Sequence, residues 1–245
     1  MPQIRLDSVS KYFMQEGRKN FAIRQVDLTI EQGEFVFVTG SSGAGKSTLL
    51  KLITGEYRPD QGKAYVNNMD VVRLARWGLL RRRNYFGYVP QLPQLIRRRT
   101  IGQNLEQVIM ANRRRLDGTV EERVQKALAM VGLRDVIDRY PVELSQGQCR
   151  QVELARAIIT SPPILVLDEL TANLDEDAIW DAFHLLEELN HRGTTVIMAT
   201  HAKMFVNMMR KRVITLVDGS IFGDVPKGRY GDVLSNRDDG TAARG

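Results

Sequence analysis

The sequence predicts an α/β protein with a mainly parallel sheet core, an antiparallel β part near the N-terminus and an inserted helical lobe. Short apolar segments of strand character alternate with amphipathic helical segments, which is typical of a parallel sheet covered on both faces. The middle of the chain, from about residue 92 to 157, has a mostly helical pattern and predicts the lobe. A chain of 245 residues is long enough for one such domain, which we place at residues 1–234.

The N-terminal part of the chain contains the first predicted strands and the first helix. Residues 4–9 and 21–30 alternate apolar with polar side chains, as half-buried strands do. Residues 35–38 are continuously apolar, which favours a strand buried on both faces. A glycine-rich turn follows, and residues 47–54 have the pattern of a helix. Residues 86–89 predict another short strand.

Strand character returns after the helical block. Strands are predicted at 164–167, 194–199 and 213–217, and Asp218-Gly219 predicts a tight hairpin turn after the last of them. The polar tail at 235–245 is expected to be disordered. The apolar residues spaced by three and four are Val124, Ala127, Leu128 and Val131 in the helical block, and Ile179, Phe183, Leu186 and Leu189 in a later helix.

Composition limits the possible functions. Apolar residues make up 43% of the chain, which suits a buried core, and no apolar run approaches the ~20 residues that a membrane-spanning helix needs. The N-terminus lacks the continuous apolar core of a signal peptide, and the single cysteine, Cys149, cannot form an internal disulfide. We therefore expect a soluble, cytoplasmic protein with no transmembrane segment of its own, whose role at a membrane is peripheral.

The formal charge of +6 is unevenly distributed, with arginine triplets at 81–83, 97–99 and 113–115. These triplets fit two interpretations: solvated faces, or proximity to anionic lipid or to acidic loops of a partner protein. Nucleic acid is not expected as a partner, because the triplets lack interleaved aromatic residues and no recognised binding motif accompanies them.

A phosphate-binding loop is predicted between a strand and a helix. The motif G-x-x-x-x-G-K-[ST] is satisfied by Gly40, Ser41, Ser42, Gly43, Ala44, Gly45, Lys46 and Ser47. The glycines let backbone N–H groups turn toward phosphate oxygens, and the helix N-terminus favours an anion. We expect Lys46 to reach the β- and γ-phosphates of ATP, the Ser47 hydroxyl to ligate Mg²⁺, and Thr48 to add a phosphate contact.

A second acidic element lies more than a hundred residues downstream. The apolar strand at 164–167 ends in Asp168-Glu169. We expect Asp168 to hold Mg²⁺ through water, and Glu169 to act as the general base or to orient the attacking water. Strands often end in acidic turns, so Asp168-Glu169 alone would be weak evidence for a nucleotide site. Together with the phosphate loop, the pair is strong evidence.

The segment Leu144-Ser145-Gln146-Gly147-Gln148 resembles the signature motif of ATP-binding-cassette (ABC) ATPases, and it stands at the start of a helix predicted at 152–159. A helix N-terminus favours an anion, so the Ser145 hydroxyl and the Gly147 N–H can hold a γ-phosphate. Because the chain's own glycine loop already binds one side of a nucleotide, the signature is expected to serve the ATP of a second copy in a homodimer.

The resemblance to the ABC family implies roles for four further positions. Gln91 corresponds to the glutamine that senses Mg²⁺ and the attacking water, and Leu174-Asp175 to the loop that contacts the opposite subunit. His201 corresponds to the switch histidine at the γ-phosphate. Tyr12 corresponds to the aromatic residue that stacks on adenine, with an ordinary core or surface aromatic as the alternative.

Within the ABC family, the segments 33–38, 42–53 and 193–201 look most like those of the FtsE group of bacterial cell-division ATPases. This resemblance implies an integral membrane partner of the FtsX type and a role in controlling septal peptidoglycan hydrolysis from the cytoplasmic face of the plasma membrane. The ATPase of an exporter, a lipoprotein-release system or an importer shares much of the pattern and stays an alternative. A soluble ABC protein acting on ribosomes or DNA is disfavoured, because one cassette is present and no long coiled-coil insertion.

The chain departs from the FtsE-like pattern at several positions. Gln146 replaces the first glycine of the signature pair, and Cys149-Arg150-Gln151 stands where Gln-Gln-Arg is usual. Leu170 replaces the proline after Glu169, and Ala202 replaces the aspartate after His201. No departure removes a phosphate or Mg²⁺ contact, so we expect ATP hydrolysis to be retained.

Overall fold

The computed structural model describes residues 2–72, 85–112 and 117–232. These residues form two compact units. Unit 1 comprises 2–72 and 197–232, and unit 2 comprises 85–112 and 117–196. The arginine triplets at 81–83 and 113–115 and the tail predicted at 235–245 lie outside the described residues.

The strands of the described part are β1 (Pro2–Gln15), β2 (Arg18–Glu31), β3 (Phe35–Thr39), β4 (Gln61–Val66), β5 (Met69–Asp70), β6 (Phe86–Val89), β7 (Ile164–Asp168), β8 (Thr195–Ala199), β9 (Arg212–Val217) and β10 (Ser220–Val225). Its helices are α1 (Lys46–Ile53), α2 (Ile101–Ala111), α3 (Val120–Met130), α4 (Gln146–Ile158), α5 (Glu176–His191) and α6 (Lys203–Met209), with a 3₁₀ turn at Pro141–Glu143.

Unit 1 contains the antiparallel part that the sequence predicts. Its four strands are ordered β2-β1-β4-β5, and every neighbouring pair is antiparallel. Ile4 of β1 is paired with Ile30 on one side and Val66 on the other, and all three side chains are buried. The C-terminal half of β2 alternates buried with exposed residues, because only one face of this sheet is covered.

The parallel core of unit 1 is built around β3, whose five residues are all buried, as the continuous apolar run predicts. Strand β3 runs parallel to β9, and β10 adds antiparallel to β9. Asp218 and Gly219 connect these last two strands with φ of 47° and 78°, the two positive values of a tight hairpin turn.

Unit 2 contains the parallel pair β6–β7, in which Phe86 lies opposite Ile164 and Val89 opposite Leu167. The predicted helical block resolves into α2, α3 and α4, separated by loops, so residues 92–100 and 133–140 are not helical. Helix α3 buries the predicted face, with Val124, Ala127 and Leu128 inside. The boundaries of a separate lobe at 92–157 stay a prediction.

Both of the first two helices of unit 2 begin with reciprocal caps. The Thr100 hydroxyl accepts from the N–H of Gln103, whose side chain accepts from the N–H of Thr100, and Thr119 and Glu122 repeat the arrangement at α3. Among the helices of residues 2–72, 85–112 and 117–232, none has the length and apolar character to cross a lipid bilayer.

Candidate nucleotide-binding site

The predicted phosphate loop connects β3 to α1, and its glycines are required by its geometry. Gly45, the residue before α1, has φ of 102°, and a Cβ added there would lie 2.3 Å from the carbonyl oxygen of Ala22. Gly40 has φ of 142°, and its Cβ would lie 2.4 Å from the carbonyl oxygen of Leu216. Both positive φ values and both close approaches exclude a side chain. The first turn of α1 then leaves N–H groups available at the loop.

Lys46 and His201 are brought together although they lie far apart in sequence. Lys46 Nζ donates to the carbonyl oxygens of Gly40 and Ser41 at 3.0 and 3.1 Å, and it lies 3.0 Å from His201 Nε2. An ammonium group only donates, so Nε2 is the acceptor and the neutral ring carries its proton on Nδ1. The predicted phosphate-binding lysine and the predicted switch histidine are therefore in direct contact within unit 1.

The hairpin turn after β9 supports the phosphate loop. Gly219 N–H donates to the carbonyl oxygen of Ala44 at 3.1 Å, and the Gly219 carbonyl accepts from Arg24 N–H at 2.8 Å. A Cβ at Gly219 would lie 2.7 Å from the carbonyl oxygen of Ala22. The sequence predicts the turn itself. Its contact with the phosphate loop depends on the pairing of β3 with β9, and no short sequence pattern predicts that contact.

The remaining predicted contacts of unit 1 are Ser47, Thr48 and Tyr12. Ser47 and Thr48 are half-buried in the first turn of α1. The Tyr12 ring packs edge-on against Phe21 with centroids 5.6 Å apart, and Lys19 Nζ lies 4.6 Å from its centre. The stacking of Tyr12 on adenine stays a prediction.

In unit 2, the acidic pair stands at the carboxyl end of β7. Asp168 is the last residue of the strand and is 1% exposed, whereas Glu169 is half-buried and has φ of 52°. The left-handed backbone at Glu169 ends the strand and bends the chain immediately after Asp168. Leu170, which replaces the usual proline, is buried in the core.

The signature segment begins α4. Ser145 is the N-cap, and its hydroxyl accepts from the N–H of Gln148, whose side chain accepts from the N–H of Ser145. Gln146 occupies the first helical position, where a side chain is accommodated, but a Cβ at Gly147 would lie 2.9 Å from the carbonyl oxygen of Asn173. The geometry thus tolerates the loss of the first signature glycine and requires the second.

The loop predicted to contact a second subunit lies beside the signature in unit 2. A Cβ at Gly147 would also lie 3.7 Å from the Leu174 side chain, so the two segments pack together. Asp175 caps α5 by accepting from Ala178 N–H at 2.8 Å, and its side chain is exposed. This cap explains the aspartate locally, and its role between subunits stays a prediction.

Gln91 is exposed in the loop after β6, and helix α4 anchors that loop three residues further on, at Gln94. Glu153 Oε1 accepts from Gln94 N–H, and Arg156 donates to the Gln94 carbonyl at 2.9 Å and pairs with Glu153. Burial raises the pKa of the Glu153 carboxyl, and the charge of Arg156 opposes the shift. Burial, followed by the charge of Glu153, also raises the pKa of the Cys149 thiol, which favours the neutral thiol over the thiolate.

A glycine-rich loop between a buried strand and a helix, with an acidic pair ending another parallel strand, defines the class of this protein as a P-loop nucleotide-binding protein. The profile of the ABC transporter family matches residues 23–172, which is more than half of the chain. The chain belongs to the ABC transporter family, and its enzyme class is ATPase.

Three individual comparisons refine this result. The cell division ATP-binding protein FtsE of Bacillus subtilis is 38% identical over 210 residues, which cover 86% of this chain and 92% of that protein. The methionine import ATP-binding protein MetN 2 of Rhodococcus jostii is also 38% identical, over 96% of this chain but 68% of that protein. The dimeric ATP-binding cassette MJ0796, solved in a post-hydrolysis state with ADP and Pi, superposes with a TM-score of 0.85 at 32% identity, covering 92% of this chain and 99% of that chain.

Proposed function

We propose that this chain is the FtsE-type ATPase of a bacterial cell-division complex. Two copies close around two ATP molecules, and hydrolysis reopens the dimer and moves an FtsX-like membrane partner that controls septal peptidoglycan hydrolysis. The observation that carries the proposal is a helix capped by Ser145 at the signature motif in the same chain as a complete phosphate loop. The dimeric state of the ADP-bound relative supports the pairing of two such chains.

Each ATP is bound by two chains in this proposal. The loop from Gly40 to Thr48 holds the phosphates of one ATP, and the Ser145 hydroxyl and Gly147 N–H of the other chain hold its γ-phosphate. Tyr12 contacts the adenine. Donors that are already oriented by a helix N-terminus stabilise the charge that develops on the phosphate at no cost in reorganisation.

Hydrolysis is assigned to Glu169, His201 and Gln91. Glu169 takes or orients a proton of the attacking water, Gln91 positions that water, and His201 contacts the γ-phosphate. Lys46 must exchange its bond to His201 Nε2 for a phosphate oxygen, which leaves the histidine available to the same phosphate. The contact between Lys46 and His201 would therefore change when the γ-phosphate is present.

The residues present fit a magnesium ion. Mg²⁺ prefers hard oxygen ligands, and the Asp168 carboxylate and the Ser47 hydroxyl are such ligands, with Gln91 as a third oxygen donor. Asp168 is 1% exposed at the end of β7, and it supplies carboxylate oxygens of the type that Mg²⁺ prefers. When bound, the ion neutralises charge on the β- and γ-phosphates.

The surface proposed for the membrane partner lies around the loop after β6 and on α2. Leu92 and Met110 are 76% and 75% exposed, and Ile96 is exposed beside the arginines at 97–99. Exposed apolar residues bordered by cations suit a partner with apolar and acidic groups at the cytoplasmic face of the membrane. We place the protein there as a peripheral subunit, enriched at the division septum.

The FtsE role is favoured over that of an importer because the segments 33–38, 42–53 and 193–201 look most like those of the FtsE group, and the FtsE of Bacillus subtilis is 38% identical over 86% of this chain. The importer ATPase stays the second candidate. Co-purification decides between them. Expressed alone, the chain should remain in the supernatant, and expressed with an FtsX-like protein it should move to the membrane fraction.

Crosslinks to that partner should map between residues 91 and 115. Leu92→Glu with Met110→Glu should abolish membrane recruitment and leave ATP hydrolysis by the isolated chain intact. Val142→Glu, at another exposed apolar residue, is the matched control. Recovery of an importer's permease in place of an FtsX-like protein would refute the cell-division role and leave the ATPase assignment standing.

A further inference from the structure

Arg150 is a fully buried cation in α4, two residues beyond the signature segment. Its side chain is 1% exposed and is the largest fully buried side chain among the described residues. A guanidinium group loses much of its hydration at such a site, and burial lowers the pKa of Arg150. The loss of hydration must be offset by interactions within the protein. The hydrogen-bond acceptors of Arg150 are main-chain carbonyl groups.

Three carbonyl oxygens from two separate loops accept from the one guanidinium. Arg150 Nη1 donates to Pro90, the residue immediately before Gln91. Nη2 donates to Asp168 at 3.0 Å and also to Glu169. One side chain therefore joins the signature helix to the glutamine loop and to the acidic turn.

The bond to Glu169 falls on a strained residue. Glu169 has φ of 52°, a left-handed conformation that is unfavourable for a residue with a side chain. A hydrogen bond that holds the carbonyl of that residue fixes the peptide plane and therefore the direction in which the Glu169 side chain leaves the backbone. The bond to Pro90 fixes the start of the Gln91 loop in the same way.

We propose that Arg150 is a positioning residue for ATP hydrolysis, holding the Glu169 and Gln91 backbones in register with the signature helix. This proposal rests on the assignment of Glu169 and Gln91 to hydrolysis. Glutamine stands at this position in the FtsE-like pattern. Its single amide group lacks the planar fork with which Arg150 spans three carbonyl groups. Arg150 therefore makes more hydrogen bonds between the signature helix and the two loops than a glutamine at this position could make.

The test compares Arg150→Gln with Arg123→Gln in the full-length chain. Arg123 also donates to two main-chain carbonyl oxygens within unit 2, of Asp117 at 2.7 Å and Ile159 at 2.8 Å, but it does not contact the acidic turn or the glutamine loop. It controls for the general loss of a guanidinium anchor. We expect Arg150→Gln to lower kcat at least ~10-fold and to change KM for ATP less than ~2-fold, with the Arg123→Gln variant near wild type.

Arg150→Lys keeps the cation and guards against a folding failure. An ammonium group cannot reach all three carbonyl groups at once, so kcat should stay at least ~5-fold below wild type. Amide hydrogen exchange at Gln91 and Leu170 should accelerate in this variant and not in Arg123→Gln. A wild-type kcat for Arg150→Lys, or equal losses for Arg150→Gln and Arg123→Gln, would overturn the positioning role.

Glu169→Gln separates this proposal from the one on which it rests. If Glu169→Gln hydrolyses ATP at the wild-type rate, the assignment of Glu169 fails whatever Arg150 does. If Glu169→Gln is inactive and Arg150→Gln is fully active with unchanged exchange at Gln91 and Leu170, the hydrolysis mechanism holds and the role of Arg150 is refuted.

Discussion

Lys46 Nζ and His201 Nε2 lie 3.0 Å apart, which joins the phosphate loop to the end of β8. The carbonyl groups of Gly40 and Ser41 accept from the same ammonium group. Lys46 Nζ thus donates to these two carbonyl groups as well as to His201. Loss of the imidazole leaves the other two.

His201→Ala should therefore reduce hydrolysis more than binding. We expect kcat to fall ~10- to 100-fold because a γ-phosphate contact is lost, while the Kd for ATP changes less than ~3-fold. Steady-state ATPase assays and equilibrium binding of a fluorescent ATP analogue measure the two effects. A large rise in Kd with an unchanged kcat would assign His201 to nucleotide binding instead.

Glu169→Gln should stop turnover and preserve binding. The amide keeps the size of the side chain but is uncharged and cannot act as a base toward the attacking water. ATP should then trap the closed dimer, which gel filtration in Mg-ATP detects as a shift from monomer to dimer. Normal turnover, or monomer alone under these conditions, contradicts the assignment. Glu176→Gln, at an exposed glutamate outside the acidic turn, is the control.

Gly219→Ala should weaken the phosphate loop. Gly219 and Gly33 both have φ of 78°, but an added Cβ meets the Ala22 carbonyl oxygen at 2.7 Å in the first case and no atom within 4 Å in the second. Both variants incur the ~1–2 kcal/mol of the left-handed backbone, and Gly219→Ala adds ~1–3 kcal/mol from the clash. Denaturant unfolding measures the difference, and KM for ATP should rise only for Gly219→Ala. Equal effects at both positions would show that the hairpin does not support the loop.

Glu153 should give the protein a pH-dependent stability. Burial raises the pKa of its carboxyl above the ordinary 4.5, and Arg156, the Gln94 N–H and Arg150 oppose the shift without cancelling it. Above pH 4.5 the unfolded chain has lost a proton that the folded chain still holds, so the free energy of unfolding falls as pH rises toward the folded pKa.

Glu153→Gln removes this proton. The free energy of unfolding of the wild type, minus that of the variant, should decrease as pH is raised from 4.5 and become constant above the folded pKa. Urea unfolding at a series of pH values measures it. A difference that increases over the same range would mean that the pKa of Glu153 is lowered in the folded state.

The regular elements were predictable because their signals are local. The strand predicted at 86–89 corresponds to β6 residue for residue, and the continuous apolar run at 35–38 makes up the first four residues of β3. The phosphate loop and the Ser145 cap are motifs of consecutive residues, and the cap joins groups only three residues apart. Periodicity and capping rules detect contacts between residues that are close in sequence.

The links between segments were not predictable from the sequence. Arg150 was visible only as a departure from a family pattern, and its partners at residues 90, 168 and 169 are set by the packing of α4 beside β6 and β7. Strand β4 was missed because its first three residues are exposed and polar or glycine, so its pattern lacks the alternation of a half-buried strand. Its place is determined by pairing with β1.

A mixture of two inactive variants tests whether each ATP is shared between two chains. Lys46→Ala damages the phosphate-loop half of a site, and Ser145→Arg damages the signature half. Each homodimer then has two damaged sites and should be inactive. In a mixed dimer, one site combines both lesions, and the other pairs an intact Lys46 with an intact Ser145 of the partner chain.

Equal amounts of the two variants should therefore recover activity that neither has alone. With free subunit exchange, half of the dimers are mixed and each has one intact site of two, so about a quarter of the wild-type sites return. ATP-dependent dimerisation is recorded in the same samples, because it reports an intact shared site even where hydrolysis requires both. We expect dimerisation to recover together with ATPase activity up to about a quarter of wild type. A mixture that recovers neither would refute the sharing of each ATP between two chains.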